Sequence, residues 1–552
     1  MLHQALKLWL PLVTTAQHAL CSSDELPQGV LKFSLEKPGL EERLRLFRRD
    51  DDTTDVTVRN HVTMFSASLE MGSDKQNVTV LVDTGSSDLW VMSAENPYCS
   101  SKSSTSYGSS KYRITEAQQK AAFSSMSSDK INCYEHSQFE PSSSDSFSMN
   151  DTSFHITYGD GSFANGTYVQ DTISYGGATI KNANFAFANE TDSEISVWGI
   201  GYAGLESTVT TYDEDGNFSP TYSNLPMQMK EQGIIEQIAY SLWLNDMDAS
   251  QGTLLFGGVD HSKYTGSLQK VPVLSSYPGT KPSELHIKLD KVTLYQDDNS
   301  ADIIKCAYPA LLDSGTSFMM LPEAFLEAIL DSIGGTYASS GNCFASCDLE
   351  GGLKFDFSGV TIDVDFQQLL FQTSSASSVC QLGILPSSNT LVLGDTFLRS
   401  AYVVYDLENN EIALAQAQMS ASGSASIEAI TSGIPSASKA SGYSSSSVGN
   451  SYSTTTATFV SGASDVGNDV TSSSLGGSGP ASINGGGGGG GRSGGSHTSE
   501  AVPGGGTVFS TLALSTMSRS GGSSSSGNSG SNIKVSLFGS LFSSIMGALL
   551  YF

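Results

Sequence analysis

Runs of β-branched and aromatic residues bounded by turn formers mark strands at Val78–Val82, Ala401–Tyr405 and Glu411–Ala415. Asp406–Asn410 joins the last two as a hairpin loop. Phe154–Thr157 and Gly166–Val169 are strand-like runs either side of Tyr158-Gly159-Asp160-Gly161, which predicts a second hairpin. Helical periodicity is scarce and short, at Leu225–Gln237 and Pro322–Ile333. The pattern predicts a mainly β protein.

That pattern is confined to about residues 55–418. From about Ser420 to Asn532 the chain is dominated by Ser, Gly, Thr and Ala, including the run Gly485–Gly491. So few large apolar side chains do not offset the entropy of ordering, and residues 419–527 are expected to form a disordered, O-glycosylated stalk. A Ser- and Lys-rich stretch between Cys99 and Cys133 predicts a long surface loop, open to proteolytic nicking.

Both ends read as targeting. Lys7 and the apolar Leu8–Val13 suggest a signal peptide over 1–21. Residues 22–49 end in the dibasic Arg48-Arg49, which suggests a propeptide whose cations block an acidic cleft. Val535–Phe552 is apolar and uncharged behind the small residues Gly521–Gly530. It predicts a GPI-attachment signal over 528–552; the alternative is a transmembrane helix, for which the tail is barely long enough.

The chemistry comes from an internal repeat. Val80-Leu81-Val82-Asp83-Thr84-Gly85-Ser86-Ser87 recurs as Ala310-Leu311-Leu312-Asp313-Ser314-Gly315-Thr316-Ser317. Each copy has a downstream apolar pair and glycine, Val197-Trp198-Gly199 and Val392-Leu393-Gly394. The doubling predicts two homologous lobes, 50–237 and 238–418. In each, an apolar strand delivers an Asp to a buried place, and glycine two residues on lets backbone N–H groups approach it. Thr84, Ser86, Ser314 and Thr316 supply hydroxyls for the carboxylates or the opposite backbone. If the lobes meet about a pseudo-twofold axis, Asp83 and Asp313 face each other. Two close carboxylates share one proton, a behaviour for which aspartic proteases are the standard example. The ionised partner then deprotonates a water and the protonated one polarises a carbonyl.

Composition excludes competing functions. A formal net charge of −28 without a basic patch argues against nucleic acid. No cofactor is implied. Cys343 and Cys347 lack the second pair and the histidines that a zinc site requires. Apart from Cys21 in the leader, six cysteines remain, an even number that suggests three disulfides.

Over residues 60–416 the sequence resembles the pepsin family of aspartic proteases. Beyond the repeat, the likeness rests on Leu393–Arg399 with Val403–Asp406, and on Tyr158–Ser162 as the flap. It implies a bilobal fold with the cleft between the lobes, and a monomer acting on proteins and peptides. Tyr158 and Gly159 would cap the cleft, with the Trp90 indole bonded to the Tyr158 hydroxyl. The resemblance also implies disulfides Cys99–Cys133 and Cys347–Cys380, which leaves Cys306 with Cys343, although four C-lobe cysteines permit three pairings.

Ser241–Asp246, Gly252–His261, the stalk and the tail are similar to the yapsin-like, GPI-anchored fungal proteases, which cleave at the cell surface after Lys or Arg. Met64-Phe65 and the proline-free turn Gly72–Gln76 depart from the usual pattern without touching the chemistry. Asp160 either faces a P1 cation or stabilises the flap turn. Sequons at Asn77, Asn150, Asn165, Asn189 and Asn217 suggest N-glycans. Asn77 opens a strand predicted to pair inside the lobe, and Pro220 follows Asn217.

Overall fold

The structure is a computed structural model describing residues 26–36, 64–99, 131, 133–134, 137–209, 222–275, 280–338, 340–372, 377–421, 424–444 and 451–457. The predicted leader, the dibasic site, most of the loop after Cys99, Asn217 and the tail lie outside these residues.

The protein is mainly β, as its patterning requires. One sheet of 15 strands runs through both halves of the chain. At its centre Leu31–Glu36, Ser66–Met71 and Gln76–Asp83 lie side by side, with Gln251–Phe256 and Ala239–Trp243 beyond Leu31–Glu36. Leu31–Glu36 alternates buried and exposed residues and pairs antiparallel over its whole length with Gln251–Phe256. The segment expected to be a propeptide thus supplies a strand that bridges the halves.

The flap strands Ser148–Thr157 and Phe163–Tyr175 form one margin of this sheet. A second sheet of eight strands carries Asn299–Leu312, which leads into Asp313. In both halves the predicted downstream element lies parallel to the Asp-bearing strand: Ser196–Gly199 beside Val80–Asp83, and Val392–Leu393 beside Leu311–Leu312.

The hairpin about Asp406–Asn410 forms between Ala401–Asp406 and Glu411–Ala417. The helix expected over Pro322–Ile333 forms as Glu323–Ile333 and buries Phe325, Leu326, Ile329, Leu330 and Ile333. The one expected over Leu225–Gln237 is shorter, Leu225–Glu231. Gly233 at φ 70 and the bond from Ile234 N–H to the Met229 carbonyl turn the chain away.

The disulfides Cys99–Cys133 and Cys347–Cys380 are formed. The third expected bridge is not: Cys306 and Cys343 are free. They belong to different sheets, Cys306 to the eight-stranded sheet and Cys343 to a four-stranded one. Burial pushes both thiols up to about 12, which leaves them protonated and inert.

The low-complexity segment also departs from expectation. Its first part is no stalk but a strap on the second lobe. Ile427–Ala429 pairs with Gly258–Asp260, Ser438–Lys439 with Gln269-Lys270, and Ser451–Thr454 with Ile304–Ala307. Backbone pairing, which composition does not report, holds it in place. Its few apolar residues are spent as anchors: Ile430, Ile434 and Ala440 are buried, and the Tyr452 ring meets Phe325 at 5.2 Å.

Among the sequons, Asn77 and Asn150 are exposed. Asn165 is half-buried with its amide oxygen against His155, and Asn189 is half-buried.

Ending the chain after Gln418 should therefore lower Tm by roughly 5 °C or more, since each buried isoleucine contributes about 1.5–3 kcal/mol. Ending it after Ala457 should leave Tm unchanged. Scanning calorimetry of the two truncations checks this.

Candidate active site

Asp83 ends the strand Gln76–Asp83, and Asp313 follows the last residue of Asn299–Leu312. The two turns that hold them repeat one hydrogen-bond pattern. Gly85 N–H donates to Asp83 Oδ1 at 2.7 Å, and Gly315 N–H to Asp313 Oδ1 at 2.8 Å. The Ser86 hydroxyl donates to Asp83 Oδ2, and Thr316 Oγ1 to Asp313 Oδ2 at 2.7 Å. The Ser86 and Thr316 hydroxyls thus each bond the carboxylate of their own turn.

The turns are locked across the lobes. Thr84 Oγ1 donates to the Leu312 carbonyl at 2.9 Å and accepts from Ser314 N–H at 2.9 Å. Ser314 Oγ donates to the Val82 carbonyl at 2.8 Å and accepts from Thr84 N–H at 3.2 Å. All four bonds are buried, so no water competes for them.

The glycines are dictated by this crossing. A Cβ on Gly85 would lie 2.6 Å from Asp313 Oδ1, and one on Gly315 would lie 2.4 Å from Asp83 Oδ1. Each glycine leaves room for the carboxylate of the other lobe. Asp83 is 5% exposed, which with the negative charge of Asp313 pushes its carboxyl up to about 8, against the pull of Ser86 and Gly85. The pair holds a proton that lone carboxylates would have lost.

Tyr158 of the flap hairpin lies near this centre, in the field of Asp83. Its hydroxyl accepts from Trp90 Nε1 at 2.7 Å. Burial and the Asp83 charge raise the phenol well above its ordinary range, so it remains a hydrogen-bond donor. The flap turn is closed by Tyr158 N–H to the Ser162 carbonyl, 2.8 Å, with Gly161 at φ 84. Asp160 is exposed, and its Oδ1 accepts from both Ser162 N–H and Ser162 Oγ, so it does stabilise the turn.

Sequence reasoning missed a second carboxylate centre beside the first. Asp88 is fully buried and accepts from the hydroxyls of Tyr168 (2.7 Å) and Tyr222 and from Ser207 N–H (2.8 Å). Glu206 is 2% exposed next to it. The signal was present in the repeat: where the first copy has Asp88, the second has Phe318.

Two carboxylates pressed together from separate β lobes, beneath a tyrosine-tipped hairpin, define an aspartic endopeptidase. The chain belongs to the family Eukaryotic aspartyl protease, whose profile matches residues 64–417. It is 38% identical over 464 residues to Aspartic proteinase MKC7 of Saccharomyces cerevisiae, covering 76% of this chain and 78% of that one. It is 34% identical to Aspartic proteinase yapsin-3 of the same yeast, covering 79% and 83%. Secreted aspartic protease 8 of Candida albicans is 36% identical, covering 68% and 81%.

Gly315→Ala should fold yet lose at least about 100-fold in kcat/KM, because the added carbon displaces Asp83 from its partner. Steady-state kinetics with a circular-dichroism control checks this.

Proposed function

We propose that the protein is an acid endopeptidase of the cell surface. Water is the nucleophile: the ionised member of the Asp83–Asp313 pair takes its proton, and the protonated member donates to the scissile carbonyl. The crossed hydrogen bonds of Thr84 and Ser314 carry this reading, because they hold the carboxylates close enough to share that proton. Tyr158, Gly159 and Trp90 close the cleft over a bound peptide and exclude bulk water.

The sign of the pH dependence follows. Asp83 is raised from 3.8 to about 8, so the singly protonated pair persists in acid and is lost as pH rises through that raised value. Activity should therefore fall as pH rises through about 8, on the alkaline side of neutrality.

Asp160 and Asp192, which lie in each other's field at the flap, support a preference for Lys or Arg at P1. Asp160 remains exposed while it holds the turn. A peptide library at acid pH should show cleavage that Asp83→Asn reduces by at least about 1,000-fold. Asp160→Asn should lower the ratio of Lys to Leu cleavage in matched peptides; an unchanged ratio removes Asp160 from the specificity pocket.

The leader expected over 1–21, the propeptide expected over 22–49 and the GPI signal expected over 528–552 support a location on the outer face of the plasma membrane, on a glycosylated tether. The name of the Candida relative, Secreted aspartic protease 8, supports the secretory route. Phosphatidylinositol-specific phospholipase C should release the activity from intact cells. Retention after treatment points to a transmembrane tail.

A further inference from the structure

The second carboxylate centre lies outside the Asp83–Asp313 pair, and its two buried members are hydrogen-bonded differently. Asp88 is the anion-ready member. Tyr168, Tyr222 and Ser207 all donate to it, and they come from three different parts of the N-lobe. Burial raises its carboxyl, while these donors pull it back down.

Glu206 is the proton-holding member. Its Oε1 has no hydrogen-bond partner among the described residues, and Oε2 receives a long bond of 3.4 Å from Thr208 Oγ1. Burial, then the neighbouring charge of Asp88, pushes Glu206 up to about 9, although the Asn224 N–H and Thr208 oppose this. Among the described residues, the other ionisable groups facing the pair are phenols. Tyr168 and Tyr222 lie in the field of both carboxylates, and Tyr158 in that of Asp88.

The pair is mechanically joined to the flap. The Tyr168 ring meets Phe154 of the flap strand edge-on at 5.5 Å and Tyr222 at 5.0 Å. These rings pack in one cluster with Trp90, Ile156 and Tyr158. Ser207, the residue after Glu206, donates its N–H to Asp88 and shares a 2.7 Å bond with the Tyr168 hydroxyl. Any outward movement of Glu206 therefore pulls on the donors that fix Tyr168 under the flap.

The other lobe shows what this position looks like without a carboxylate. There Phe318 is buried against Phe371, with ring centres 5.2 Å apart. An apolar contact satisfies the fold at this point in the repeat, so the acid in the N-lobe answers a different need.

We propose that Asp88 and Glu206 form a proton-dependent latch that holds the base of the flap, so that loss of the Glu206 proton loosens the hairpin and weakens substrate binding. Both are positioning residues: they act on the peptide only through Tyr168, Phe154 and the Tyr158–Trp90 pair. The latch rests on the endopeptidase cleft and is independent of P1 preference and anchoring. With the folded-state Glu206 raised from 4.5 to about 9, the latch is fully closed below the lower value and opens progressively as pH rises between the two.

The test uses the Asp83→Asn protein, whose turnover is cut by at least about 1,000-fold and whose remaining dyad acid, Asp313, is common to both arms of the comparison. Tm and the Kd of a peptide substrate are measured from about pH 4 to about pH 8, with and without Glu206→Gln. The parent should lose Tm and bind at least about 10-fold more weakly at the upper end, while Glu206→Gln, a permanent mimic of the protonated acid, should flatten both curves. Superimposable curves would overturn the latch. Flattening of Tm alone, with Kd still weakening, would also overturn it by reducing the pair to a structural role.

Asp88→Asn removes the charge that opposes Glu206 ionisation and should flatten the same curves. If neither variant folds, hydrogen exchange of the Asp83→Asn protein decides. Corrected for intrinsic pH dependence, exchange over 154–158 and 206–209 must rise with pH before that of the C-lobe core. Simultaneous rise refutes the proposal.

Discussion

Two negative charges are made to occupy one place, and much of the structure serves that constraint. Left to themselves, Asp83 and Asp313 would separate or ionise independently. Buried bonds from Thr84 to the Leu312 carbonyl and from Ser314 to the Val82 carbonyl prevent this by tying each turn to the opposite strand. The separating force is converted into a retained proton, and that proton is what makes the pair an acid and a base at once. The 15-stranded sheet spanning both halves of the chain gives the two turns a common frame.

The same physics recurs at Asp88 and Glu206, with a different result. The dyad is symmetric because the repeat is symmetric, and each carboxylate has its own N–H and hydroxyl donor. The second pair is asymmetric: donors gather on Asp88, and buried Glu206 keeps an oxygen with no hydrogen-bond partner among the described residues. One pair is arranged for chemistry. The other is arranged to sense whether the surroundings permit it, and the flap lies between them.

Much of this was legible in the sequence, because a repeat converts weak motifs into a strong one. Asp83-Thr84-Gly85 alone suggests a turn. Its recurrence at Asp313-Ser314-Gly315, with Val197–Gly199 and Val392–Gly394 downstream, gave the two lobes, the dyad and its hydroxyl partners. Trp90 and Tyr158 followed from resemblance and meet at 2.7 Å. What escaped notice has physical reasons. A repeat signals through what recurs, and Asp88 against Phe318 is a position at which the two copies differ. Glu206 sits in a segment with no periodic pattern, and its burial comes from tertiary packing. The strap over 424–444 and 451–457 is held by backbone bonds, to which composition is blind. Cysteine parity implied a third bridge, yet Cys306 and Cys343 lie in separate sheets.

The central claim is that the two lobes force Asp83 and Asp313 to share a single proton. Neutron diffraction from crystals of the ectodomain grown near pH 5 in heavy water observes that proton directly. One deuteron between the facing carboxylate oxygens is the predicted result. A deuteron on each carboxyl group, or none on either, would contradict it.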